Sequence, residues 1–135
     1  MSLYNRRKKS WPKNLPFFLD KVKQTVYNNL EITVKKYPDR DAIIYYDNKI
    51  SYYTLFMHVK TIAGYLKSIN ELSNGDRIAI IMQNCPQFVI SYYAILGVNC
   101  VVVPINPMLQ IDEISFIIED SNVKVVFVAN ELIEN

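Results

Sequence analysis

Few side chains in this 135-residue sequence are suited to chemistry. His58 is the single histidine, and no Ser-His-Asp set can be built around it. It falls beside the apolar stripe of a helix, which makes it a surface residue rather than a ligand or base. Cys85 and Cys100 fit neither a disulfide framework nor a metal site. Both sit among apolar residues and read as small buried hydrophobes of a reducing compartment. Cys85 keeps a second reading, because it precedes Pro86 at a helix start, where unpaired N–H groups stabilise a thiolate. Asp112 and Glu113 are adjacent carboxylates, but adjacent helical residues point in different directions. Roles at the start of a helix suit them better. The ten tyrosines, paired at 45–46, 52–53 and 92–93, carry apolar bodies with polar tips. They either line a groove or fill a core with the hydroxyl at the surface, and the core is the expectation.

Phosphate cradles need glycine so that backbone N–H groups can approach the anion. The chain has three glycines, Gly64, Gly75 and Gly97, and only Gly75 sits in an evident tight turn. No P-loop and no dinucleotide fingerprint is present. A net charge of +2 does not argue for nucleic acid. No apolar run approaches the roughly 18 residues that span a bilayer, and no continuous apolar stretch follows the basic N-terminus as in a secretory signal. The expected location is therefore cytoplasmic. Arg6, Arg7, Lys8 and Lys9 beside Trp11-Pro12 could touch anionic lipid, so membrane contact is peripheral at most. The stronger reading of residues 1–16 is a solvated tail with Trp11 tucked against the body.

The elements that must position these residues follow from periodicity. Val26, Leu30, Val34 and Tyr37 predict an amphipathic helix over 25–37, stopped by Pro38. The β-rich runs 42–46 and 49–51 around Asp47-Asn48 predict a hairpin. Ser51 is the expected N-cap of a long helix over 52–69, with Tyr52, Leu55, Val59, Ile62, Leu66 and Ile69 as its stripe. Beyond Gly75, strands at 77–82, 100–103 and 123–128 alternate with helices at 86–96 and 112–119. Pro104 is expected to end the second strand and Asp112 to cap the second helix. Continuously apolar strands alternating with helices predict a parallel sheet covered on both faces. Ligands of such sheets sit outside the carboxyl ends of the strands. Here those loops are Gln83–Cys85, Pro104–Gln110 and Ala129–Glu131.

Tyr37-Pro38-Asp39-Arg40-Asp41-Ala42-Ile43, followed by Ser51-Tyr52-Tyr53-Thr54-Leu55, resembles the start of adenylate-forming enzymes. Asn74-Gly75-Asp76-Arg77-Ile78-Ala79-Ile80 is similar to that family's next strand. Met82-Gln83-Asn84-Cys85-Pro86-Gln87-Phe88 and Ala94-Ile95-Leu96-Gly97 resemble the helix after it. Val102-Val103-Pro104-Ile105-Asn106-Pro107-Met108, Glu113 and Asp120-Ser121 complete the match. The wording of residues 84–88 and 103–108, with Trp11-Pro12 ahead, looks closest to the fatty acyl-CoA synthetase branch. Thr54 stands where the family usually has Glu, which implies a weaker cap. Asn99 follows Gly97-Val98 where Ala is common, which implies an altered turn.

The resemblance implies an α/β fold: helix and β-hairpin, long helix, then a parallel β-α-β-α-β unit. That unit is part of the large N-terminal domain of an adenylate-forming enzyme, here residues 17–135. It further implies a ligase using ATP, Mg²⁺ and CoA to convert a fatty acid to its adenylate and then its thioester. In a complete member the phosphate loop and the C-terminal portion lie beyond Asn135. This chain alone is expected to be inactive, with no cofactor of its own and the C-terminal portion as its partner. Asn106, Pro107 and Met108 are the site candidates implied by the resemblance, as a loop near CoA. The competing reading makes them a rigid strand exit. A free-standing α/β binding or regulatory module is the alternative function. Incompletely covered strands predict a homodimer.

Overall fold

A computed structural model describes residues 9–18 and 23–133, so Arg6, Arg7 and Lys8 of the basic run lie outside the described residues. Trp11 donates from Nε1 to the Leu15 carbonyl at 3.2 Å and meets the Phe17 ring edge-on. Its side chain remains 43% exposed.

Helix α1, Val26–Lys36, starts where the Thr25 hydroxyl accepts from the Asn28 N–H at 3.1 Å. Leu30 and Val34 are buried, whereas Val26 and Tyr37 at the two ends of the expected stripe are exposed. Strands β1, Asp41–Tyr45, and β2, Asn48–Ser51, form the antiparallel hairpin. Its turn is Tyr46-Asp47 rather than Asp47-Asn48, with Tyr46 at φ 50°.

Helix α2, Tyr52–Lys67, is capped by Ser51. The Ser51 hydroxyl accepts from the Thr54 N–H at 3.1 Å and donates to the Thr54 hydroxyl at 3.0 Å. The residue expected to weaken this cap thus takes part in it. Leu55, Val59, Ala63 and Leu66 are buried, and His58 is exposed beside them as the stripe required. A Cβ added at Gly64 would meet nothing within 4 Å. Helix interiors disfavour glycine by about 1 kcal/mol relative to alanine. Gly64→Ala is therefore expected to raise stability by about that amount, read as a higher urea midpoint at unchanged slope.

The sheet follows: β3, Arg77–Ile81; α3, Pro86–Gly97; β4, Val101–Ile105; α4, Ile111–Ser121; β5, Val123–Val128; and a 3₁₀ turn, Asn130–Leu132. The strands are parallel in the order β4-β3-β5, and Ile80 lies between Pro104 and Phe127. Central β3 explains the continuous apolar run, because both its faces are covered. Ile78 and Ile80 pack with buried residues of α1, α2 and α3. Ala79 and Ile81 face the other way, toward Ile114, Ile117 and Ile118 of α4.

Three further expectations change in the sheet and the helices around it. Pro104 lies inside β4 instead of ending it, which an edge strand tolerates. Gln110, not Asp112, is the N-cap of α4, and its N–H donates to Glu113 Oε2 at 2.9 Å. Lastly, β5 alternates between half-buried and exposed, with Val126 and Val128 at 39% and 37% exposure. The altered turn implied at Asn99 is present at φ 59°. Its N–H donates to the Leu96 carbonyl and that of Cys100 to the Ile95 carbonyl, closing α3 in a Schellman motif. At the last turn of α3 the Tyr27 ring lies where a Gly97 side chain would be, 2.7 Å from an ideal Cβ.

Candidate functional site

The carboxyl ends of the three strands open on one side of the sheet. A cleft of about 440 Å³ lies at the ends of β3 and β5. Met82, Gln83, Cys85 and Gln87 form one wall, Val128–Glu131 the other, and Tyr45 of the hairpin also lines it. The loops Gln83–Cys85 and Ala129–Glu131 were placed here by the sequence; Tyr45 and Gln87 were not. The expectation that the tyrosines are core is corrected at several positions. Tyr46, Tyr53 and Tyr65 are 83%, 55% and 61% exposed, while Tyr27, Tyr52, Tyr92 and Tyr93 pack against the core. Tyr46 occupies the hairpin turn, and Tyr53 and Tyr65 lie on the outer side of α2. The Tyr45-Tyr46 doublet at the turn is the signal that could have placed Tyr45 at the cleft.

Partial burial pushes the Tyr45 phenol upward, and the adjacent Tyr46, Cys85 and Glu131 add to it. Cys85 is half-buried, with its Sγ 3.9 Å from the Met82 sulfur. It stands at the N-cap of α3 without a side-chain capping bond. Cys100 is buried, and burial, then Asp76, pushes its thiol up. That is the behaviour of the small buried hydrophobe expected there.

Asn106, Pro107 and Met108 lie at the end of β4, apart from the residues lining the cleft. Asn106 Oδ1 accepts from the Met108 N–H at 3.0 Å, and the Asn106 carbonyl accepts from the Leu109 N–H at 3.2 Å. The side chain thus closes its own turn. Met108 is 73% exposed.

These residues do not fit a nucleotide triphosphate with its metal ion. None of the strand-end loops contains glycine, lysine or arginine. Among the described residues no group of three His, Cys, Asp or Glu side chains is arranged to hold a metal. Nor is any helix among them long and apolar enough to cross a membrane.

Comparison with known proteins supplies what the geometry leaves open. The chain is 32% identical over 116 residues to the long-chain-fatty-acid–CoA ligase of Bacillus subtilis, covering 86% of this chain and 20% of the ligase. It is 36% identical over 97 residues to the 2-succinylbenzoate–CoA ligase of Bacillus licheniformis, covering 72% and 20%. The chain thus spans about a fifth of the length of these relatives. Unliganded O-succinylbenzoate coenzyme A synthetase from Bacillus subtilis superposes with a TM-score of 0.73 at 27% identity, over 80% of this chain and 23% of that one. The N-terminal subdomain of NpsA from Klebsiella oxytoca shares the fold, with a TM-score of 0.72 at 24% identity, over 83% of this chain and 33% of that one. The family model described as AMP-binding enzyme matches residues 30–135. Over residues 30–135 the chain belongs to the AMP-binding enzyme family.

Proposed function

We propose that this chain is a scaffold portion of a cytoplasmic fatty-acid–CoA ligase and is inactive by itself. One observation carries the reading: the similarity to the long-chain ligase covers most of this chain, yet its strand-end loops lack a phosphate cradle and a cation cluster. Fatty acid is favoured over succinylbenzoate because the long-chain ligase of Bacillus subtilis aligns over the larger share of this chain. ATP, Mg²⁺ and CoA belong to the complete enzyme, together with the C-terminal portion that would be this chain's partner. Residues 17–135 would be part of its large N-terminal domain, with residues 1–16 ahead of them in the sequence. Asn106, Pro107 and Met108 would lie close to CoA there, although Asn106 already closes its own turn.

ATP–pyrophosphate exchange with fatty acids tests the proposal. The purified chain is expected to give background exchange, whereas a chimera in which it replaces the corresponding fifth of the Bacillus subtilis ligase exchanges with long-chain acids. In that chimera Asn106→Ala raises KM for CoA and leaves exchange unchanged. Exchange by the chain alone would overturn the scaffold reading. A folded chimera that activates succinylbenzoate but no fatty acid would overturn the substrate. The cleft keeps a second reading open, a free-standing α/β binding module.

A further inference from the structure

The net charge of +2 conceals a division along the chain. Residues 1–18 hold five of the fifteen lysines and arginines, namely Arg6, Arg7, Lys8, Lys9 and Lys13. They hold none of the thirteen aspartates and glutamates, so they carry +5 and the rest of the chain carries −3. A basic stretch set against an acidic body points to a polyanionic partner or surface.

The same stretch gathers apolar side chains. The Leu15 N–H donates to the Pro12 carbonyl at 3.2 Å, and the Trp11 indole N–H donates to the Leu15 carbonyl at 3.2 Å. The backbone turns here, and three rings meet. Trp11 and Phe17 lie 5.3 Å apart between centroids, Phe17 and Phe18 5.1 Å apart, both pairs edge-on. Phe18 and Leu15 are nevertheless 68% and 52% exposed, and Trp11 is exposed as well. Lys9 and Lys13 beside them are exposed too. Pro12 and Pro16 bring no N–H, and the turn bonds the Leu15 amide and the indole. Entry into a headgroup layer therefore strips water from fewer unpaired donors.

We infer that Lys9–Phe18 docks the chain on an anionic lipid surface, with Trp11, Leu15 and Phe18 entering the headgroup layer and Lys9 and Lys13 meeting lipid phosphates. Arg6, Arg7 and Lys8 of the same run add charge. An indole with a polar tip and long cationic side chains both favour this layer. Each Lys or Arg near such a surface strengthens binding about fivefold, and the apolar groups supply the second contribution that stable docking needs. The acidic body sets the orientation. Helix α4 carries Asp112, Glu113, Glu119 and Asp120 and no cation, so it is held away from the lipid. A single-stranded nucleic acid would also use cations and rings, but Leu15 has no ring face on which a base could stack. The assignment does not rest on the ligase reading.

Trp11 is the only tryptophan, so its emission reports on this segment alone. Co-flotation of the intact chain with vesicles tests the inference. Equimolar phosphatidylglycerol and phosphatidylcholine should bind the chain at least about tenfold more tightly than phosphatidylcholine alone. Trp11 emission should shift to the blue, and added salt should weaken the binding. Lys9→Gln combined with Lys13→Gln should cost roughly ten- to thirtyfold. Phe18→Ser should cost about tenfold and reduce the blue shift. All three positions are exposed and lie ahead of α1, so circular dichroism should stay that of the parent chain. Equal binding to the two kinds of vesicle would overturn the inference. So would binding that leaves Trp11 emission unmoved, or that survives the paired lysine substitutions. No binding to the mixed vesicles, with capture by a single-stranded RNA oligonucleotide instead, would assign the segment to nucleic acid and overturn it as well.

Discussion

Ile80→Ala is expected to destabilise the chain by about 3–4 kcal/mol, while Ile44→Ala changes stability by no more than about 0.5 kcal/mol. Both replace isoleucine in a strand, so intrinsic strand preference does not separate them. Ile80 is fully buried in the central strand, between Pro104 and Phe127, and packs with the cluster from α1, α2 and α3. Its truncation removes apolar contact and leaves a cavity that a strand paired on both sides cannot collapse to fill. Ile44 is 66% exposed on the hairpin. Domains of this size have total stabilities of about 5–15 kcal/mol, so the loss at Ile80 is a large fraction of what is available. Urea denaturation followed by far-ultraviolet circular dichroism gives both values. Equal losses at the two positions would contradict this assignment of the core.

The second large effect concerns association. We propose that the chain forms a homodimer through the α4 side of β5, so sedimentation equilibrium should give twice the 15.8 kDa chain mass at high concentration. Val126 and Val128 stand in register with Ala79 and Ile81, on the face of the sheet that α4 covers. Yet they remain 39% and 37% exposed. An open sheet border with exposed apolar side chains tends to pair with another chain, and a two-fold pair is the commonest way to close one. Val126→Glu should return the chain to a monomer with its stability nearly unchanged. A wild-type chain that stays monomeric at high concentration would remove the proposal.

The elements were legible because periodicity and capping agreed. Ser51 caps the long helix, Pro86 starts the next, and the apolar run 78–81 is the strand with neighbours on both sides. Partial covering was not legible. Val26 and Tyr37 continue the stripe of α1 but lie at its ends, beyond the reach of the core. Pro104 was read by its missing N–H, which is decisive in a central strand and tolerated at an edge. Edge and centre depend on strand order, and local pattern does not give strand order. Gln110 went unrecognised because the stabilising contact comes from Glu113 reaching back to its N–H. The cleft was half legible: two of its loops follow from the rule for parallel sheets, whereas Tyr45 arrives from a hairpin some forty residues earlier in the chain.

Pro104 also gives the sheet a direction of growth. Its strand forms one border of the sheet and β5 the other. A proline in a paired strand is accommodated where its lacking donor points outward, so the β4 border offers an interrupted row of amides. No residue of β5 is proline, so its outward row is continuous. An extended segment seeking backbone partners would add more readily beside β5 than beside β4. Growth on the β5 flank is therefore favoured, and a single imino acid, the fourth of the five residues of β4, sets that preference.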